Sequence, residues 1–199
     1  GQHTSHANCI YHDDYGAGKA MGQIVARFSK KGVAYIGVTR DDKAAGAARE
    51  DGFIAGLQNA GVTLFEENKR TSAFTLESGY ESALDLLESK CDIDVISCAT
   101  DTLAAGAIEA IQTYLKKQIP TNAADAGARM RYILENTSIR VTGFGDNQML
   151  KAVTGGIPTI HFGYKTSGIR GAELLLDSIE RGEQIPIEMK LGFRLVGAD

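Results

Sequence analysis

Short apolar runs, each followed by a stretch of helical period, constrain this chain more than any other feature. Val33-Ala34-Tyr35-Ile36-Gly37-Val38, Asp94-Val95-Ile96-Ser97-Cys98-Ala99 and Ile139-Arg140-Val141-Thr142-Gly143-Phe144 lack a sustained polar/apolar alternation. A half-exposed strand would alternate; a strand covered on both faces does not. Pro158 to Tyr164 is a fourth candidate.

The intervening segments read as helices. From Ala44 to Ala60, Ala45, Ala48, Phe53 and Leu57 gather near one face, with Asp41 or Asp42 as cap and Gly61 as the stop. Ser78-Gly79-Tyr80-Glu81 has the capping-box spacing, followed by Tyr80, Ala83, Leu84 and Leu87 on one side. Leu103, Ala107, Ile111 and Leu115 recur every fourth residue after Asp101, and a last helix spans Ser167 to Arg181 before Gly182. Strand and helix in alternation predict an α/β fold built on a doubly wound parallel sheet. Ile119 to Ser138, with Pro120, Asn122 and Gly127, breaks the rhythm. It reads as a surface insertion with a short helix from Ala128 to Leu134.

In such sheets ligands bind beyond the carboxyl ends of the strands. Those ends carry Thr39-Arg40-Asp41, Thr100-Asp101 and Gly145-Asp146-Asn147, and the fourth run carries His161, Phe162 and Tyr164. Hydroxyls, carboxylates, amides and flat aromatic faces together suit a sugar. Taken singly, Thr39, Thr100 and Asp101 read as helix caps; only convergence makes them a pocket.

Other chemistries find little support. A net charge of -4 gives no concentrated positive field for nucleic acid. Cys9, Cys91 and Cys98 are odd in number and scattered, which suits a reducing cytoplasm. No apolar run reaches the ~18 residues of a membrane span, and no leader pattern opens the chain, so neither membrane nor export is expected. Gly16-Ala17-Gly18-Lys19 lacks the Ser or Thr of a phosphate loop, since Ala20 follows. His3, His6, Cys9 and His12 are all possible zinc ligands, but their spacing of three fits neither strand nor helix, so no metal is assigned. The chain has no GxSxG and no HExxH. The pairs Asp13-Asp14 and Asp41-Asp42 more often cap or solvate than catalyse, so neither an enzyme nor a cofactor is expected.

Several segments resemble, in order, those of the LacI/GalR family of repressors. Val33-Ala34-Tyr35-Ile36-Gly37 with Ala48-Arg49-Glu50-Asp51-Gly52-Phe53 is similar to the family's strand, loop and helix. Glu77-Ser78-Gly79-Tyr80 is similar to its "ESGY" turn, and Cys98 to Ala107 to its "CANDxxAxGA" segment. Val141-Thr142-Gly143-Phe144-Gly145-Asp146 resembles "VxGFDD", and Pro158-Thr159-Ile160-His161 resembles the crossover "LTTI". The resemblance covers nearly the whole chain.

It implies a periplasmic-binding-protein-like fold of two subdomains, the N-terminal one incomplete in this chain. Residues 1–32 and 160–183 would be its remnant, and residues 33–159 and 184–199 the C-terminal subdomain. It also implies a sugar-responsive, cytoplasmic, homodimeric repressor. Operator DNA would be read only through a helix-turn-helix absent from these 199 residues. The effector would be a sugar or sugar phosphate, held by Arg49 through its bidentate fork and stacked on Phe74. Thr100, beside Asp101, replaces the family's asparagine, and Asp14 or Tyr15 lines the pocket from the other subdomain. The family's sugar-binding aspartate aligns with Gly145, so Asp146 or Asn147 must serve, or neither does. Thr100-Asp101 and the Asn147 loop most resemble repressors of disaccharide operons, sucrose or trehalose. The rival reading is an exported sugar-binding protein of a transport system, which shares the fold.

Overall fold

The computed structural model describes residues 7–89, 91–115, 137–182 and 186–198, together with Gly127 and Arg131. The chain opens with β1 (Cys9–His12), α1 (Asp14–Phe28) and β2 (Val33–Val38). A π-helical turn, Lys43–Ala48, runs into α2 (Arg49–Asn59), and a 3-10 turn precedes β3 (Lys69–Ser72). Then come α3 (Leu76–Glu88), β4 (Val95–Cys98), α4 (Asp101–Leu115), β5 (Arg140–Thr142) and α5 (Gln148–Thr154). The remaining elements are β6 (Thr159–Phe162), α6 (Tyr164–Arg181), β7 (Glu188–Leu191) and β8 (Phe193–Val196).

Four strands form a parallel sheet in the order β3-β2-β4-β5. Ile36 of β2 stands opposite both Arg70 of β3 and Cys98 of β4. Every residue of β2 and β4 is buried, as expected for central strands covered on both faces. The cover comes from two helix pairs, α1 with α2 and α3 with α4. Full burial of side chains such as Phe53, Leu57, Ile96 and Ile108 stabilises the unit by about 1.5–3 kcal/mol each. Beyond the sheet, the Gly143 and Gly145 amides donate to the Pro158 and Ile160 carbonyls, which brings β6 alongside the end of β5. β6 pairs antiparallel with β8, and β1 pairs parallel with β7.

The α1–α2 contact is a seam of glycines. A Cβ on Gly18 would stand 2.3 Å from the Arg49 carbonyl oxygen, and one on Gly22 2.3 Å from that of Phe53. One on Gly52 would stand 2.1 Å from the Tyr15 oxygen, and one on Gly56 2.2 Å from that of Lys19. Only glycine allows two helix backbones to approach so closely. Ala17, Met21 and Val25 of α1 share the core of the sheet. α1 therefore packs on the sheet, where its apolar stripe is buried. At the other end of the chain β7 sits with β1 rather than with the four-stranded sheet.

Several local expectations hold. Asp42 caps the π-turn, accepting from the Ala44 and Ala45 amides, and α6 ends at Gly182 in a left-handed conformation. Others are corrected. The cap before Tyr80 is Thr75, whose hydroxyl accepts from the Ser78 amide. The helix thus starts at Leu76, three residues before the start that a Ser78 cap implied, with Thr75 immediately ahead of it as the cap. Tyr164 begins α6 instead of closing β6, since the Gly163 carbonyl already accepts from the Ser167 amide. β1, β3, β7 and β8 were not anticipated: each is four residues long, and none is fully buried. Most of the 119–138 segment, with the helix expected at 128–134, lies outside the described residues, as do His3 and His6.

Candidate functional site

The site is assembled where two helices begin. Asp13 caps α1, its carboxylate accepting from the Gly16 amide at 3.1 Å. Asp14, the first helical residue, is placed where a negative charge is favoured. Arg49 opens α2 as the π-turn ends. The glycine seam draws these two helix starts together, and Arg49 Nε donates to Asp14 Oδ1 at 2.8 Å. Arg49 Nη1 donates to the Ala99 carbonyl at 2.8 Å, at the carboxyl end of β4. The guanidinium lies over the rings of Phe144, 4.8 Å from its centroid, and Phe162, 5.4 Å away. The side chains of Arg49 and Asp14 are only 13% and 11% exposed, so the charge pair is close to buried. Neighbouring Glu50 and Asp51 are instead engaged by Arg40, and Glu50 also by Lys69. Arg49 is thus no surface salt bridge to its own helix.

Aromatic groups continue the site. His12 packs against Phe162 at 4.8 Å and edge-on to Tyr164 at 5.3 Å. Burial holds its imidazole below the usual histidine range, partly countered by Asp14. Burial pushes the Tyr164 phenol upward. A depression of about 300 Å³ opens beside them, walled by Tyr15, Asp13, Asp14, Lys43 and Lys190. A polar floor with aromatic walls offers donors and acceptors for hydroxyls and flat faces for a ring.

The remaining expected residues fall elsewhere. Thr100 is a cap, its hydroxyl accepting from the Leu103 amide at 3.2 Å. Asp101 is buried, and both oxygens are engaged: Oδ1 accepts from the Thr159 hydroxyl at 2.7 Å and Oδ2 from the Asn147 amide at 2.6 Å. It ties β6 and the β5–α5 loop to the start of α4. Its burial raises the carboxyl above the ordinary range, against the pull of those two donors. Asp146 has a left-handed backbone, φ +50°, and its Oδ2 meets His161 Nδ1 at 2.8 Å. Thr159 and His161 lie on one side of β6 while Phe162 faces Arg49, because strand side chains alternate. Asp146 is therefore gathered with Asp101, Thr159 and His161, apart from the Arg49 cluster. Asn147 caps α5. Gly145 adds no side chain at the aligned aspartate position, and a Cβ there would be 3.5 Å from Asp101. Phe74 is half-exposed in the β3–α3 loop.

A further cavity of about 150 Å³ lies between α5, β6 and the end of β8, with Asp101, Asp146 and Lys151 in its lining. It is chiefly apolar and distinct from the depression beside Asp14 and Tyr15. Among the described residues no group of three or more His, Cys, Asp or Glu side chains is placed to hold a metal ion. None of their helices is long and apolar enough to cross a membrane.

The sequence profile of the periplasmic binding protein domain matches residues 3–154. The chain belongs to that family. Among curated proteins, the sucrose operon repressor of Staphylococcus xylosus is 27% identical over 168 residues, 84% of this chain and 46% of the repressor. The chain thus spans about half the length of that relative. Among solved structures, the transcriptional regulator CelR–cellobiose complex superposes with a TM-score of 0.79 at 20% identity, covering 98% of this chain and 54% of that one. The trehalose repressor from Escherichia coli superposes with a TM-score of 0.72 at 20% identity, covering 94% and 63%. At such identities the superpositions establish the fold alone, α/β with the periplasmic-binding-protein architecture.

The sequence reading singled out Arg49, Asp14 and Tyr15, which the fold brings together. It missed His12 and Phe144 as neighbours of Arg49. Phe144 stood in a strand run, where an aromatic reads as core. His12 carried a possible metal-ligand spacing that drew attention from its aromatic packing.

Proposed function

We propose that this chain is the effector-binding part of a cytoplasmic, sugar-responsive transcription repressor that controls a carbohydrate-utilisation operon, and that it performs no catalysis. The observation that carries the reading is Arg49, held at the carboxyl ends of the strands by Asp14 and Ala99 and packed against the rings of Phe144 and Phe162. The free edge of its guanidinium is the natural partner of sugar hydroxyls. In this reading Asp14 and Tyr15 line the effector pocket and Phe74 closes on the sugar ring. Thr100 and Asp101 set the floor through the α4 terminus, and Asp146 fixes the adjoining β6 crossover through His161. The sucrose operon repressor and the cellobiose-bound regulator favour a disaccharide.

The packing supports a division into two subdomains. β1, α6 and β7 go with one subdomain, and α1 through α5 with β2 to β5 form the other; β6 and β8 cross between them. α6 has no buried residue and exposes Leu175, Leu176 and Ile179. Effector held between the bodies biases their angle, and in a homodimer that angle sets the spacing of helix-turn-helix heads on operator DNA. The ligand acts only through its different affinity for the two arrangements.

The test is fluorescence anisotropy of the full-length protein on labelled DNA from its own upstream region, with sucrose, trehalose or cellobiose added. Release or tightening by one of these sugars at millimolar concentration or below is the expected result. Absence of DNA binding, together with a signal peptide preceding the chain in the gene, would favour the transport-protein reading instead.

A further inference from the structure

We propose that Asp14 is a specificity-determining residue that makes the Arg49 pocket select an uncharged sugar over the same sugar carrying a phosphate. This rests on the reading of that pocket as the effector site. Asp14 lines the pocket, and Arg49 is the cation bound to it, so the pair is already neutral. Arg49 Nε is committed to Asp14 at 2.8 Å and one Nη to the Ala99 carbonyl at 2.8 Å, while the rings of Phe144 and Phe162 pack against the guanidinium. What remains is an edge of N–H donors with no net charge behind it, which a hydroxyl or ring oxygen can use in full.

A phosphate dianion meets a different balance. To take the guanidinium bidentately it must displace Asp14, a nearly buried carboxylate at the start of α1, or lie beside it and be repelled. Asp13 stands next to it, capping the same helix. The other cations of the depression do not reverse this. Lys190 Nζ lies 3.5 Å from Asp13 Oδ1. Lys43 is exposed at the rim, with its Nζ 3.5 Å from the Arg40 carbonyl, where water and salt screen it. The rings of Tyr11 and Tyr15 in the lining of the depression favour the apolar face of a sugar ring and offer a phosphate nothing.

The experiment is calorimetric titration of the full-length protein with sucrose, trehalose and cellobiose and with the 6-phosphate of each. It is repeated with Asp14→Asn, which keeps an acceptor for Arg49 Nε but removes the charge, and with Asp14→Glu, which keeps the charge. The proposal expects the sugar that binds to do so at least tenfold more tightly than its 6-phosphate. That preference shrinks at least tenfold in Asp14→Asn and persists in Asp14→Glu. If the wild type binds a 6-phosphate as tightly as or more tightly than the free sugar, the proposal is wrong and the sugar-effector reading survives. An unchanged preference in a folded Asp14→Asn also overturns it. If none of the six compounds binds, the effector reading fails and the proposal with it. The wild-type ratio alone decides the first point should Asp14→Asn fail to fold.

Discussion

The glycine seam between α1 and α2 makes a sharp prediction, because it carries the geometry of the site. In Gly18→Ala the new methyl carbon would sit 2.3 Å from the Arg49 carbonyl oxygen and 3.0 Å from the Phe53 nitrogen. Ordinary contact distances are about 3.5–4.0 Å, so the helices must part by roughly 1 Å locally. Overpacking of this kind costs about 1–3 kcal/mol. A 2.3 Å approach to backbone takes the upper part of that range, about 2–3 kcal/mol, and alanine recovers about 1 kcal/mol of helix propensity over glycine, leaving a net loss of about 1–2 kcal/mol. For a chain of this size that lowers Tm by about 2–4 °C per kcal/mol. The control is Gly168→Ala on α6, where a Cβ meets nothing within 4 Å. Propensity acts alone there, and a gain of up to about 1 kcal/mol is expected. Urea midpoints and calorimetric Tm values of the two variants should move in opposite directions. A Gly18→Ala protein as stable as the wild type would refute close backbone approach as the reason for glycine there.

Three further outcomes follow from the same geometry. Asp14→Ala leaves the Arg49 cation nearly buried without its carboxylate and should lose about 3–5 kcal/mol in urea unfolding; Asp14→Ala with Arg49→Met should recover much of that. The buried Tyr35 hydroxyl has no hydrogen-bond partner among the described residues, so Tyr35→Phe should stabilise the fold by about 1 kcal/mol, read as a raised urea midpoint. His12 is held below its ordinary value of 6.5, so the folded chain binds fewer protons than the unfolded one as pH falls through that value. His12 therefore costs stability below about pH 6.5 and nothing well above it, and His12→Phe should flatten the fall in Tm between pH 7 and 5.

The central strands were legible because burial on both faces leaves a plain signature: Val33 to Val38 could be little else. The edge strand Lys69–Ser72 was not, because its residues are polar and its partner β2 specifies it from outside. The short strands β1, β7 and β8 owe their existence to pairing across the chain, which no local pattern records. At the site, Arg49 was legible through its motif position and Asp14 only through what the family resemblance implies, since helix α1, which places it, was not anticipated. The separation of Asp146 from Arg49 was not, since it depends on which face of β6 each residue meets. Asp101 was read as a ligand group, yet its two oxygens are spent on the Thr159 hydroxyl and the Asn147 amide. A carboxylate between two loops and one that lines a pocket look alike in sequence.

The most direct measurement is calorimetric titration of the full-length protein and of Arg49→Lys with sucrose, trehalose and cellobiose. Lysine keeps a positive charge beside Asp14 but loses the planar fork that reaches the Ala99 carbonyl and the pocket at once. The account predicts saturable binding of one of these sugars to the wild type and a loss of at least tenfold in affinity in the variant. Equal affinity in the two proteins would place the effector away from Arg49, and no heat from any of the three would contradict a disaccharide effector.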